Sequence, residues 1–167
     1  MQVLPPSAWQ RLASCASTND EAQRLARAGA AEGTVVTAAE QTRGRGRLGR
    51  SWHSPSDENL YLSVVLRPPL SPQQAPLLCL CAGLSMLEAA RAVVAEQKNL
   101  DAGAARLRLK WPNDLLGARA DEGAPWRKLG GVLTELCCVG SRIDFVVVGV
   151  GCNIGGREFP AAVEATS

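Results

Sequence analysis

Aromatic side chains are scarce in this 167-residue chain: four Trp, one Tyr and two Phe. Packing must therefore come mostly from Leu, Val and Ala. There is one histidine, His53, and none of the six cysteines (Cys15, Cys79, Cys81, Cys137, Cys138, Cys152) forms a CxxC pair. Thiolate and imidazole ligands at the spacing of a structural zinc site are thus missing. Net charge is only +2, whereas a general nucleic-acid binder spreads positive charge over a face or helix. The first ten residues, MQVLPPSAWQ, have no long apolar run after a basic start, so they are not read as an export signal. No apolar stretch is expected to reach membrane-spanning length. The default expectation is a cytoplasmic protein with free thiols, Cys79 and Cys81 serving as small core fillers. The length suits one domain with a real core.

Positive charge is instead concentrated in one stretch, Glu40 to Ser54, reading EQTRGRGRLGRSWHS. Arg43, Arg45, Arg47 and Arg50 are interleaved with Gly44, Gly46 and Gly49, and no apolar period runs through them. Glycine lets a backbone approach a ligand closely, and arginine offers a planar fork to phosphate or carboxylate oxygens. These residues suit a mobile loop that closes over a polyanion; they equally suit a solvated basic loop or an RGG-like nucleic-acid segment.

Around this loop the pattern predicts an α+β domain, a mixed or antiparallel sheet packed against helices. Residues 1–15 read as a lead-in anchored by Trp9. Thr18 and Glu21 have the spacing of a capping box, opening a helix that Gly29 can end. Thr34–Ala39 and Asn59–Leu66 read as strands. From about Pro72 to Gln97 a long buried helix is expected, with Leu77, Leu80, Leu84, Leu87 and Arg91 at helical spacing. Arg106–Trp111 alternates with period two, a half-buried strand ended by Pro112. Asn113–Leu116 reads as a turn and Gly117–Pro125 as a surface loop. Lys128–Cys138 and Ile143–Ile154 read as strands of a hairpin, with Phe145–Val148 as a central-strand signal.

Four stretches taken together resemble the biotin protein ligases, the biotin–acetyl-CoA-carboxylase ligases. In order they are Ser17-Thr18-Asn19, then Gln41 with the loop Gly44–Arg50 and Trp52, then Lys110–Leu115 (KWPNDL), then Lys128–Glu135 (KLGGVLTE). A glycine-rich strand end, Gly149–Ile154, completes the match, which covers roughly residues 14–154. A lone GRGRxGR is a weak signal, but that loop followed by KWPND and KLGG is specific.

The resemblance implies a sheet-and-helix fold related to the lipoate ligases. It also implies an ATP-dependent reaction that turns biotin into biotinyl-5′-AMP and pyrophosphate. Biotin then passes to one lysine of a biotin carboxyl carrier domain, with release of AMP. Ser17, Thr18, Asn19 and Gln41 match the biotin-contacting positions, although by themselves they read as a helix cap and a strand-end hydrogen bond. Arg45 would close over the biotin carboxylate and Arg47 would meet the α-phosphate. Arg50 is the candidate for the pyrophosphate. Gly46 and Gly131 belong to the biotin-side set. Lys128 is the leading catalytic candidate, at biotin and phosphate alike, with Arg45 and Arg47 beside it. Lys110, Asn113 and Asn153 match nucleotide-side positions, and Asp114 could hold Mg²⁺ or make a structural ion pair. Leu48 stands where related loops often carry another basic residue.

The chain starts too close to Ser17 to carry a helix-turn-helix, so a DNA-binding role is not expected. It ends at Ser167, so residues 1–167 read as one catalytic domain truncated at its C-terminus. A homodimer is left open. The competing readings are a non-catalytic biotin- or nucleotide-binding remnant and a lipoate-type acyl ligase.

Overall fold

The computed structural model describes residues 8–56, 58–96, 105–119 and 123–155. Seven strands form one mixed sheet, β1 (Trp9–Cys15), β2 (Val35–Gln41), β3 (Asn59–Leu66), β4 (Ala105–Lys110), β5 (Asp114–Arg119), β6 (Arg127–Val139) and β7 (Arg142–Asn153). Their order across the sheet is β1-β2-β3-β7-β6-β5-β4. Only β1 and β2 pair in parallel; every other neighbouring pair is antiparallel. Helix α1 (Thr18–Arg27) supplies the β1–β2 crossover, and α2 (Pro76–Glu96) follows β3. This is the α+β architecture expected.

Strand β7 lies in the middle of the sheet, and its alternating side chains build two cores. Phe145 and Val147 pack with Ala22, Ala26, Val36 and Val65 beneath α1. Val146 and Val148 face the other way, against Met86 and Leu87 of α2 with Leu115 and Val132. Period-two alternation in a strand buried on both faces gives this result. Burying each such Val or Leu stabilises the fold by about 1.5–3 kcal/mol.

Arg67 ties the α1 face together. Its Nη2 donates to Ala26 O at 2.8 Å and Ala30 O at 3.2 Å, beyond the end of α1, and its Nη1 donates to Asp144 O at 3.1 Å. The guanidinium thus joins the last turn of α1, and the chain just after it, to β7 through their backbone carbonyls.

Several expectations fail here. Residues 9–15 are a strand rather than part of a lead-in, because parallel pairing to β2 satisfies their backbone. The turn and surface loop expected from Asn113 to Pro125 are interrupted by β5, whose Leu115 and Leu116 are buried between β4 and β6. The capping box does not form: Ser17 is the N-cap without a side-chain cap bond, and Glu21 pairs with Arg24 at 2.6 Å.

The long helix is present, but of the expected stripe only Leu87 is buried. Leu77 and Leu84 are 54% exposed, while Gly83, Met86 and Leu87 face the sheet. The helix is apolar nearly all round, so periodicity could not select the inner face. By length and composition α2 is long and apolar enough to cross a bilayer, contrary to expectation; here it packs on the sheet over β4, β5, β6 and β7. Cys79 packs there too, but Cys81 is exposed rather than a core filler.

Candidate functional site

A cleft of about 820 Å³ opens on the sheet face that carries α1. The first turn of α1, the end of β2 and the loop after it bound one side. The β4–β5 turn, the start of β6 and the end of β7 bound the other.

The floor is polar and buried. Ser17, Thr18 and Asn19 are 3%, 4% and 3% exposed. Gln41, the last residue of β2, does what the capping box was expected to do. Its Oε1 accepts the Thr18 backbone N–H at 2.8 Å and lies 3.1 Å from Thr18 Oγ1. Its Nε2 donates to Ser54 Oγ at 2.9 Å. A strand side chain thereby takes up a free N–H of the helix start. Asn19 sits over β7, where glycine leaves it room: a Cβ at Gly149 would overlap the carboxamide. Asn19 Nδ2 donates to Glu135 Oε2 at 2.7 Å.

The arginine loop folds back as a lid. Gly46 N–H donates to Arg50 O at 2.7 Å, and Arg47–Gly49 makes one 3₁₀ turn. Leu48, at the tip, is left-handed at φ 56° and 88% exposed. Arg45 Nη2 lies 2.7 Å from Asp20 Oδ1 and 2.9 Å from Glu135 Oε2. Arg47 Nη1 donates to Asn113 Oδ1 at 3.1 Å. Gly46 and Arg50 also line the cleft, and Arg43, which is exposed, does not.

The opposite wall is built on strands. Lys128 Nζ stands 2.9 Å from Asp114 Oδ1 and 5.4 Å from the centre of the Trp52 ring. Asn113 Nδ2 donates to Val132 O at 2.9 Å, which holds its oxygen toward Arg47. Lys110, Gly131 and Asn153 complete this wall. Trp52 packs on β7 where Gly151 has no side chain; a Cβ there would come within 2.7 Å of the indole. The Trp52 Nε1–H is buried against β7, with no acceptor among the described residues.

Every residue singled out in the sequence for biotin, nucleotide or metal lines this one cleft, although the residues come from six separate segments. Sequence reasoning assigned no role to Glu135, Asp20, Ser63 or Trp126. Ser63 of β3 is 0% exposed and lies beneath the floor, against Thr18 and Asn19. Trp126 lies over the Arg108 guanidinium at 3.9 Å and is a rare aromatic in an aromatic-poor chain. Glu135 closes the KLGGVLTE stretch, but only the folded sheet sets it against Asn19 and Arg45.

The arrangement joins a cationic wall and lid to a neutral hydrogen-bonding floor. It can hold an anionic group beside Arg47 and Lys128 while a polar, uncharged ring occupies the floor. Among the described residues no three His, Cys, Asp or Glu side chains gather as a metal cage.

Comparison with known proteins identifies relatives of this chain and its fold. The model of the biotin/lipoate A/B protein ligase family matches residues 12–153. The bifunctional ligase/repressor BirA of Bacillus spizizenii is 34% identical over 146 residues, 86% of this chain and 40% of that protein. The biotin–[acetyl-CoA-carboxylase] ligase of Paracoccus denitrificans is 38% identical over 154 residues, 92% of this chain and 57% of that protein. Among solved structures, the Leishmania major biotin protein ligase with biotinyl-5-AMP superposes with a TM-score of 0.73 at 31% identity, covering 96% of this chain and 62% of that one. The Aquifex aeolicus enzyme with biotin and ATP gives 0.65 at 34% identity, covering 93% and 56%. The chain therefore spans about half the length of these relatives.

Proposed function

The chain belongs to the biotin/lipoate A/B protein ligase family, and from that premise we propose that it activates biotin with ATP and passes it to a lysine of a biotin carboxyl carrier domain. The observation that carries this reading is the meeting in one cleft of the Ser17–Asn19 floor, the Arg45–Arg47 lid and Lys128.

Biotin has a neutral ureido ring, an apolar thiophane and a valerate carboxylate. The ureido polar groups need partners once buried, since each unpaired one costs about 1–3 kcal/mol. Ser17, Thr18, Asn19 and Gln41 offer them, and Gly46 and Gly131 leave room for the chain. In the first step a carboxylate oxygen attacks the α-phosphorus and pyrophosphate leaves. Both partners are anionic, so the site must hold them in line and offset their charge. Lys128 from the rigid sheet and Arg47 from the lid do this at the forming bridge. Arg45 closes toward the carboxylate by giving up Asp20 or Glu135. Lys110, Asn113, Arg50 and Asn153 serve the nucleotide and its departing pyrophosphate. In the second step the carrier's lysine amine attacks the acyl carbon and AMP leaves.

Mg²⁺ commonly rides on a nucleotide with one or two protein carboxylates. Asp114, already beside Lys128, fits as one such carboxylate, and the ion would add charge neutralisation at the triphosphate. The six unpaired cysteines suit a reducing compartment such as the cytoplasm.

Biotin-dependent ATP–pyrophosphate exchange tests the reading. The parent should exchange, and Lys128→Ala and Arg45→Ala should each lose most of that rate. No exchange in the parent would overturn it. Calorimetric binding of lipoate in preference to biotin would move the chain to the other branch of its family.

A further inference from the structure

Glu135 stands behind the floor of the cleft, and its carboxylate settles which way the Asn19 amide points. Oε2 takes one Asn19 Nδ2 hydrogen at 2.7 Å, and Leu133 O takes the other at 3.4 Å. The reversed amide would set a carbonyl oxygen against a carboxylate oxygen at the same distance, and two acceptors repel.

The consequence runs inward through a buried chain of hydroxyls. Asn19 Oδ1 faces Ser63 Oγ at 2.6 Å, and the same Ser63 Oγ lies 2.8 Å from Thr18 Oγ1. A serine hydroxyl has one hydrogen. The amide oxygen has none, so the contact with Asn19 takes the Ser63 hydrogen. The hydroxyl contact between Ser63 and Thr18 is then made by the Thr18 hydrogen. Gln41 Oε1 is still served by the Thr18 backbone N–H. With those hydrogens committed, Asn19 Oδ1 and Thr18 Oγ1 are left with lone pairs to offer.

We propose that Glu135 is a positioning residue that makes the cleft floor an acceptor surface, selecting ligands that present N–H donors there. The inference rests on the functional reading above and deepens it. A ureido ring presents two N–H groups to such a floor, whereas a dithiolane ring presents none. A site built to pair a polar group discriminates strongly against an analogue that lacks it. Arg45 Nη2 contacts the same carboxylate at 2.9 and 3.0 Å, so lid and floor share one anchor.

Three proteins decide the matter: the parent, Glu135→Leu and Glu135→Gln. Leu removes the acceptor and frees the Asn19 amide, whereas the Gln amide oxygen can still accept. Calorimetry with biotin and with ATP should show Glu135→Leu weakened about tenfold or more toward biotin but within about threefold of the parent toward ATP. Glu135→Gln should recover biotin binding to within about threefold of the parent. In the ligand-free protein, the Asn19 side-chain amide signals in a nitrogen–proton NMR spectrum should show one strongly hydrogen-bonded N–H that Glu135→Leu loses. Biotin binding by Glu135→Leu equal to the parent, equal losses toward biotin and ATP, or unaltered Asn19 signals would overturn the proposal. A parent that binds no biotin defeats the functional reading and the selection role together. The Asn19 signals then still report whether Glu135 orients the amide.

Discussion

Asn19 occupies the space that a side chain at position 149 would need, so the tip of α1 and the middle of β7 are fitted to each other at one glycine. The backbone of β7 is ordinary there. What requires glycine is the neighbour, because the Asn19 carboxamide lies flat over the strand between Ser63 and Glu135.

Gly149→Ala should therefore act on the floor before it acts on the fold. Overpacking of this kind costs about 1–3 kcal/mol, and here it pushes Asn19 off both partners. Biotin binding by calorimetry should weaken at least about tenfold, with the melting temperature lowered by a few degrees. Unchanged biotin affinity would mean that Asn19 does not need this position.

Arg67→Met should show the opposite balance. The guanidinium makes several charge-assisted bonds to carbonyls in and just beyond the last turn of α1 and to Asp144, and it lies 5.8 Å from the centre of the Phe145 ring. Losing it should cost about 2–3 kcal/mol in urea unfolding. Biotin and ATP affinities should persist at temperatures where the variant remains folded. A loss of affinity equal to that of Gly149→Ala would show that the two faces of α1 are not separable.

At the lid tip, Leu48 holds a left-handed backbone at φ 56° and ψ 36°. Leucine pays about 1–2 kcal/mol for that conformation, and asparagine pays less. Leu48→Asn should raise stability by about 0.5–1 kcal/mol and slow amide exchange from Gly44 to Arg50 in the ligand-free protein. Faster exchange there would place the strain elsewhere.

The thiols give a prediction in pH. Burial pushes the Cys152 thiol above its ordinary value of 9.0. Folding thus holds that proton to higher pH than the unfolded chain does. The stability it contributes is present below the unfolded thiol range and falls as pH rises through about 8.5–9 toward the folded value. Cys152→Ser should flatten the fall in melting temperature above that pH. Alkylation at pH 8 followed by mass mapping should label the exposed Cys81 and Cys138 first and Cys152 last.

Much of the site was legible because its chemistry is written in short contiguous stretches. GRGRLGR and KLGG each combine glycine with cations, and KWPND sets a cation and an amide around a proline; such combinations have few uses in a packed core. The continuous apolar run Phe145–Val148 likewise marked the central strand, since a strand covered on both faces must be apolar at successive positions. Strand β5 was hidden because Gly117 reads as punctuation; in the sheet that glycine makes room for the Leu129 side chain instead.

By itself the sequence determined the family, the candidate cations of the cleft and most of the strands that hold them, because those depend on residue type and local period. Tertiary structure alone decided which face of α2 is buried, since an apolar surface all round a helix has no preferred side until a sheet meets it. It also decided that Gln41 caps α1 and that Glu135 reaches both Asn19 and Arg45. Those partners are 23, 116 and 90 residues apart, and a hydrogen bond requires about 3 Å in space however far apart its ends lie in the chain.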